Sequence, residues 1–198
     1  MNRLDIKSPE ANNFIGAWKM NDENLCKNII KFFENNKNLQ RKGQTALGVN
    51  EEIKKSTDIT IDPVDLKKDE YSVFNEYFRK LNECYLDYKE QYPFLNTFLK
   101  KIHIGHFNVQ KYLAGDHFAR SHSERTSLSS LHRIFAWMTY LNDVDDGGTT
   151  DFDYYKVKVK PEIGKTLIWP AEWTHAHSGS IVKSGSKYII TGWMHFTD

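Results

Sequence analysis

The sequence predicts an α+β fold in which a helical N-terminal layer, about residues 1–95, supports a β jelly-roll core over about residues 100–195. Two observations predict it. Before Pro93, apolar residues recur at intervals of three and four; after it, they fall into short runs rich in β-branched and aromatic residues, separated by turn residues. Many short strands with no long helix between them favour an antiparallel sandwich or barrel over a parallel βαβ sheet. At 198 residues the chain suits one domain.

Asn21 or Asp22 can cap a first helix, whose apolar positions Leu25, Cys26, Ile29, Ile30 and Phe33 share one face before Asn35-Asn36 ends it. A second helix is expected from about Val64 to Tyr92, where Phe74, Phe78, Leu81, Tyr85 and Tyr88 keep the helical period until Pro93. Between them, Leu39 to Pro63 reads as looped or weakly extended, with a short strand at Ser56–Ile61. The expected β runs are Ile102–Leu113, Arg133–Leu141, Tyr154–Val159, Thr166–Trp169 and Lys187–Met194. Asp145-Asp146-Gly147-Gly148 and Ser184-Gly185 mark turns among them. No internal repeat is present.

Lys+Arg number 27 and Asp+Glu 26, so no long-range field draws the chain to nucleic acid or to an anionic membrane. Cys26 and Cys84 lie far apart in no metal or redox spacing and read as reduced packing residues. The opening MNRLDIKSPEANNF lacks the apolar stretch of a secretory signal, and no run reaches the ~18 apolar residues of a spanning helix. A cytoplasmic protein is the expectation; nothing in the pattern specifies an oligomeric state.

Chemistry is suggested first by His122-Ser123-Glu124. In an extended strand, residues i and i+2 face the same way, so an imidazole and a carboxylate would project together as one edge of a metal site. Such a pair also arises by chance among 8 His and 26 acidic residues, so a third ligand is required. His175 and His177 both qualify, and the pattern alone leaves the choice open. Downstream, strand alternation puts Lys187, Ile189, Thr191 and Trp193 on one face. An ammonium among apolar neighbours needs an anion, from the protein or from a ligand.

Four stretches taken in order resemble the prolyl 4-hydroxylase-like iron(II)/2-oxoglutarate oxygenases, especially their small phage and marine bacterial forms. They are Gln110–Phe118 with its Tyr-x-x-Gly turn, His122-Ser123-Glu124, Arg133–Phe152 (RIFAWMTYLNDVDDGGTTDF) and Pro161–Trp193. The resemblance implies a double-stranded β-helix (jelly roll, cupin-like) and a single oxygenase domain over residues 1–198. It implies iron(II) held by His122, Glu124 and His177, since the family's distal histidine precedes its basic residue by ten positions, as His177 precedes Lys187. His175 then becomes a neighbour of the ligand. It further implies that 2-oxoglutarate chelates the iron and meets Lys187 and Tyr140 through its C5 carboxylate, with Tyr112 near its C1 end and Thr191 or Trp193 shaping the pocket.

With dioxygen as the other cosubstrate and ascorbate in support, the implied reaction is hydroxylation of a substrate C–H bond, on a prolyl residue of a peptide or protein, or on a small molecule. Glu124 departs from the aspartate of most relatives, though the phage-type forms resemble it here; its extra methylene calls for a slightly withdrawn backbone or for weaker iron binding. Two other classes fit the same residues: a cupin-like metalloenzyme that does not use 2-oxoglutarate, and a non-catalytic binding module on this fold. Trp137, Trp169, Trp173 and Trp193 could line a substrate groove, but in a chain of 14% aromatic residues the core is the preferred place for them.

Overall fold

A computed structural model describes residues 1–6 and 12–197; residues 7–11, part of the opening stretch read above as lacking a signal, and residue 198 lie outside the described residues. The chain enters as a strand pair, β1 (Asn2–Leu4) against β2 (Gly16–Lys19). Asp22, one of the two candidate caps, then starts α1 (Glu23–Asn35) by accepting the Leu25 amide at 2.9 Å, satisfying a donor that the first helical turn leaves open. The buried face of α1 is Leu25, Cys26, Ile29, Phe32 and Phe33, as the spacing predicts except that Phe32 replaces Ile30.

The stretch expected to be loose holds three strands: β3 (Arg41–Lys42), β4 (Lys54–Lys55) and β5 (Thr57–Ile61). The second helix, α2, runs Ser72–Gln91 and so starts later than the expected Val64. Asp62 caps the Val64 amide at 2.9 Å with Pro63 in the first turn, which closes a short 3₁₀ turn over Pro63–Lys67; a second one, Asp69–Tyr71, follows. Apolar spacing strong enough to hold an α-helix against the sheet begins only at Phe74.

After α2 come β6 (His103–Ile104), β7 (Phe107–Leu113), β8 (His117–His122), β9 (Arg133–Tyr140), β10 (Thr150–Phe152), β11 (Val157–Val159), β12 (Lys165–Pro170), β13 (His177–Gly179) and β14 (Ser186–His195). The expected run Tyr154–Val159 is therefore strand only at its end. Tyr154 to Lys156 form the β10–β11 turn, where Lys156 takes a left-handed φ of 52°. Ile102–Leu113 is likewise split, into β6 and β7.

All pairings are antiparallel, in two sheets. The larger runs β1-β2-β12-β9-β14-β7-β5-β3 with β6 added on β14, and the smaller runs β11-β10-β13-β8-β4. The strand β9 shows how the layers stack, because alternate residues serve opposite sides. Phe135 and Trp137 face the helices, where Tyr77 and Phe78 meet the Trp137 ring and the Tyr77 hydroxyl bonds that of Thr139; Ala136, Met138 and Tyr140 face the core between the sheets. Gly192, opposite Trp137, lets the indole cross β14: a Cβ there would come within 2.7 Å of the ring. No helix among the described residues is long and apolar enough to cross a membrane.

Candidate metal centre

Two strands of the smaller sheet meet where β8 ends and β13 begins. Their terminal residues, His122 and His177, are register partners with ring centroids 4.4 Å apart, as side chains opposite one another on antiparallel strands must be. Glu124 lies just past β8, outside the strand, so the alternation that suggested a shared face does not itself align the pair. The longer glutamate side chain reaches back instead: its Oε1 lies 3.6 Å from His122 Nε2 and 3.4 Å from His177 Nε2. One ligand atom from each of the three residues falls within 4.8 Å of the others, and this is the only such group among the described residues.

Both imidazoles are oriented the same way. Nδ1 of His122 donates to the Arg120 carbonyl at 3.0 Å and Nδ1 of His177 to the His175 carbonyl at 2.9 Å. A carbonyl only accepts, so each Nδ1 carries the proton and each Nε2 turns its lone pair to the site. Burial alone would raise the Glu124 carboxyl, but when His122 and His177 are protonated their hydrogen bonds and charge outweigh it and hold the group well below the usual carboxylate range; a bound cation would take the place of those Nε2 protons. Two imidazole nitrogens, once free of protons, and one carboxylate form a donor set that suits a divalent iron ion.

The surroundings fix this set. Trp193 Nε1 donates to Glu124 Oε2 at 2.7 Å, and Arg133 donates to the Glu124 backbone carbonyl at 2.9 Å while its guanidinium lies 3.7 Å above the Trp193 ring. Phe118 stacks on His122 at 3.9 Å, and Trp169 and Phe152 flank His177. Arg133 and Phe118 were not singled out in the sequence. Phe118 shares a strand face with His122, a signal that was available; Arg133 has no local one.

On the opposite sheet the alternation predicted for β14 holds, with Ile189 in the core between the sheets and Trp193 at Glu124. Lys187 is buried at 3% exposure. Its ammonium donates to the Gly148 carbonyl at 3.0 Å and lies 4.5 Å from the centre of the Tyr112 ring, its register partner's. No carboxylate of the described residues ion-pairs with it, and burial pushes it down to about 8 despite the charge of Asp151. Tyr112, which the resemblance put near the C1 end of the cosubstrate, is instead the ring against the lysine, its hydroxyl donating to Gln110 Oε1 at 2.8 Å. Tyr140 pairs with Ile189; its hydroxyl donates to the Val159 carbonyl at 3.2 Å and lies 2.6 Å from that of Thr150. Thr191 spends its hydroxyl on the Trp137 carbonyl at 2.8 Å.

His175 is turned away from the triad. Its Nε2 donates to the Asn13 carbonyl at 2.9 Å, its Nδ1 faces the Thr174 hydroxyl at 3.0 Å, and burial holds its imidazole below the usual range. Only its backbone carbonyl touches His177. Of the four tryptophans considered for a substrate groove, Trp137 and Trp169 are core; Trp173 is exposed, edge-on to Tyr154.

Residues 107–195, which contain the triad and Lys187, match the family model described as the 2OG-Fe(II) oxygenase superfamily. A probable prolyl 4-hydroxylase 9 of Arabidopsis thaliana is 27% identical over 139 residues, covering 57% of this chain and 48% of that protein, so the chain spans about half the length of this relative. Among solved structures, the viral collagen prolyl hydroxylase of Paramecium Bursaria Chlorella virus-1, in its 2OG complex, superposes with a TM-score of 0.66 at 18% identity, covering 93% of this chain and 97% of that one. A prolyl hydroxylase from Trichoplax adhaerens, in complex with a hypoxia inducible factor oxygen degradation domain peptide fragment, does so with a TM-score of 0.69 at 15% identity, covering 93% and 84%. These identities speak to the fold; with the family match, which spans residues 107–195, they support a likeness of the β core to the 2OG-Fe(II) oxygenase superfamily and its prolyl 4-hydroxylases.

Proposed function

We propose that the chain is a 2-oxoglutarate-dependent iron(II) hydroxylase of prolyl 4-hydroxylase-like type, acting on a peptide or protein. The observation that carries this reading is the pairing, across one sandwich, of a His-Glu-His set with a buried lysine that has no carboxylate partner among the described residues. His122, Glu124 and His177 would hold the iron, and Lys187 would take the C5 carboxylate of 2-oxoglutarate, with Tyr112 and Tyr140 walling that end. When bound, the metal and keto acid supply, with dioxygen, the oxidative decarboxylation to succinate and carbon dioxide that is coupled to hydroxylation. The peptide bound to the Trichoplax relative supports a peptide substrate. Ascorbate as a supporting reductant belongs to the same reading, and the buried free thiols of Cys26 and Cys84 fit a cytoplasmic setting.

The protein's share is orientation and exclusion of water. Trp193 occupies Glu124 Oε2 and leaves Oε1 facing the imidazoles, so the carboxylate offers one oxygen to a metal. Phe118, Phe152 and Trp169 close apolar walls around the two rings. Trp193→Phe keeps a ring for Arg133 and removes the Nε1 donor. It is expected to weaken iron(II) binding by roughly 10- to 100-fold, read by anaerobic competition with a chelator. The function itself is tested by incubating iron-loaded protein with 2-oxoglutarate and a panel of proline-containing peptides. Succinate released in step with an oxygen atom added to a peptide is expected; iron binding with no succinate under any peptide would leave the binding-module alternative in its place.

A further inference from the structure

A second group of histidines lies apart from the triad, where β14 runs between β6 and β9. His195 is the register partner of His103 on one side and of Arg133 on the other. His132, just before β9, sets its ring at 84° to that of His195 with centroids 4.5 Å apart, and the His103 ring lies 6.2 Å away. The Nε2 of His195 is shut off from solvent and has no hydrogen-bond partner among the described residues, whereas buried polar atoms are almost always bonded. Burial, and then the charges of His132, Arg133 and His103, push this imidazole down to about 4, so at neutral pH it is uncharged and one ring nitrogen has a lone pair to offer.

We propose that His103, His132 and His195 form a second metal site, which takes a borderline transition-metal ion such as zinc(II). Three imidazoles on one ion, with nitrogens ~2.0–2.1 Å from it in tetrahedral arrangement, place their ring centroids roughly 5 Å apart. The two observed spacings fall on either side of that value. The nitrogens are not yet gathered as those of the triad are, so binding needs a turn of two rings. His103 and His132 are exposed and free to make it, while Gly105 packs against His195, where a Cβ would come within 2.6 Å of the ring. The cation facing the site is Arg133, whose guanidinium lies over Trp193 and 4.0 Å from the Glu124 carboxylate, which offsets its charge. An all-imidazole set suits zinc, nickel or copper, while the carboxylate in the triad suits iron. An ion here would tie the connection that follows Glu124 to the strand that carries Trp193.

The test is a zinc(II) titration against a chromophoric chelator. The His122→Ala/His177→Ala variant, which lacks the triad, is expected to bind one equivalent and to lose it when His195→Ala is added. Wild-type protein is expected to bind two equivalents, and the exposed-position variants His132→Asn and His103→Asn to weaken the second by roughly tenfold or more with an unchanged Tm. These wild-type measurements decide the matter even if the triad variant does not fold. No zinc on a folded triad variant, or a second equivalent indifferent to His132→Asn and His103→Asn, would overturn the proposal.

Discussion

His177→Ala is expected to abolish iron(II) binding and turnover, by at least about a hundredfold, while His175→Ala keeps both. The two histidines stand two apart and both are buried, yet they do different work. His177 turns Nε2 to Glu124 at 3.4 Å. His175 turns its ring to Asn13 and gives His177 only a backbone carbonyl, which alanine would still provide. The His175 variant should therefore lose stability rather than metal. Leaving the Asn13 carbonyl without its buried partner costs about 1–3 kcal/mol and lowers the Tm. Metal content and thermal unfolding measured on both variants separate these outcomes; complete loss of iron from folded His175→Ala would show that the distal ligand had been assigned to the wrong residue. His122→Ala should match His177→Ala.

The second large effect is expected at Lys187. Lys187→Ala should retain iron and weaken 2-oxoglutarate binding by about 30- to several thousand-fold, the range given by removing one partner of a buried charge pair at about 2–5 kcal/mol. The lysine also sets a pH dependence. Its ammonium, the form that pairs with a carboxylate, has its pKa depressed by burial to about 8. Cosubstrate affinity should thus be level below pH 7 and fall as pH rises through 8, levelling off only above the higher pKa that the ammonium takes beside the bound dicarboxylate. Isothermal titration across pH 6.5–9.5 reads both effects, with Lys187→Met as the uncharged control. Unchanged keto-acid affinity in Lys187→Ala would favour a cupin-like enzyme that does without 2-oxoglutarate.

How much of this was legible in the sequence depends on which layer carried it. The strands β9 and β14, buried on both faces, announce themselves as dense runs of aromatic and β-branched residues, and the alternation along β14 placed Lys187 and Trp193 on the right side. The strands that carry the candidate histidine ligands do not: β8 reads HFARSH and β13 HSG, polar and half exposed, with no apolar period. The His-x-Glu spacing points to His122, but His177 is preferred only through the resemblance, because its pairing with His122 is a long-range register that no local pattern encodes. The choice between His175 and His177 was open for the same reason. The late start of α2 was hidden by Val64 and Leu66, which look helical by spacing but sit in a turn that Asp62 caps. The bond from Trp193 to Glu124 was not foreseen, because only the folded register brings an indole from one sheet to a carboxylate beside the other.

The central claim, one site that holds iron(II) and 2-oxoglutarate together, is tested most directly by anaerobic titration of the purified protein with both, watching for the weak visible charge-transfer band of a chelated keto acid. A band that requires both components, shifts to far higher 2-oxoglutarate in Lys187→Ala and is absent from His177→Ala is the predicted result. Folded wild-type protein that binds iron(II) but shows no band at any 2-oxoglutarate concentration would contradict it.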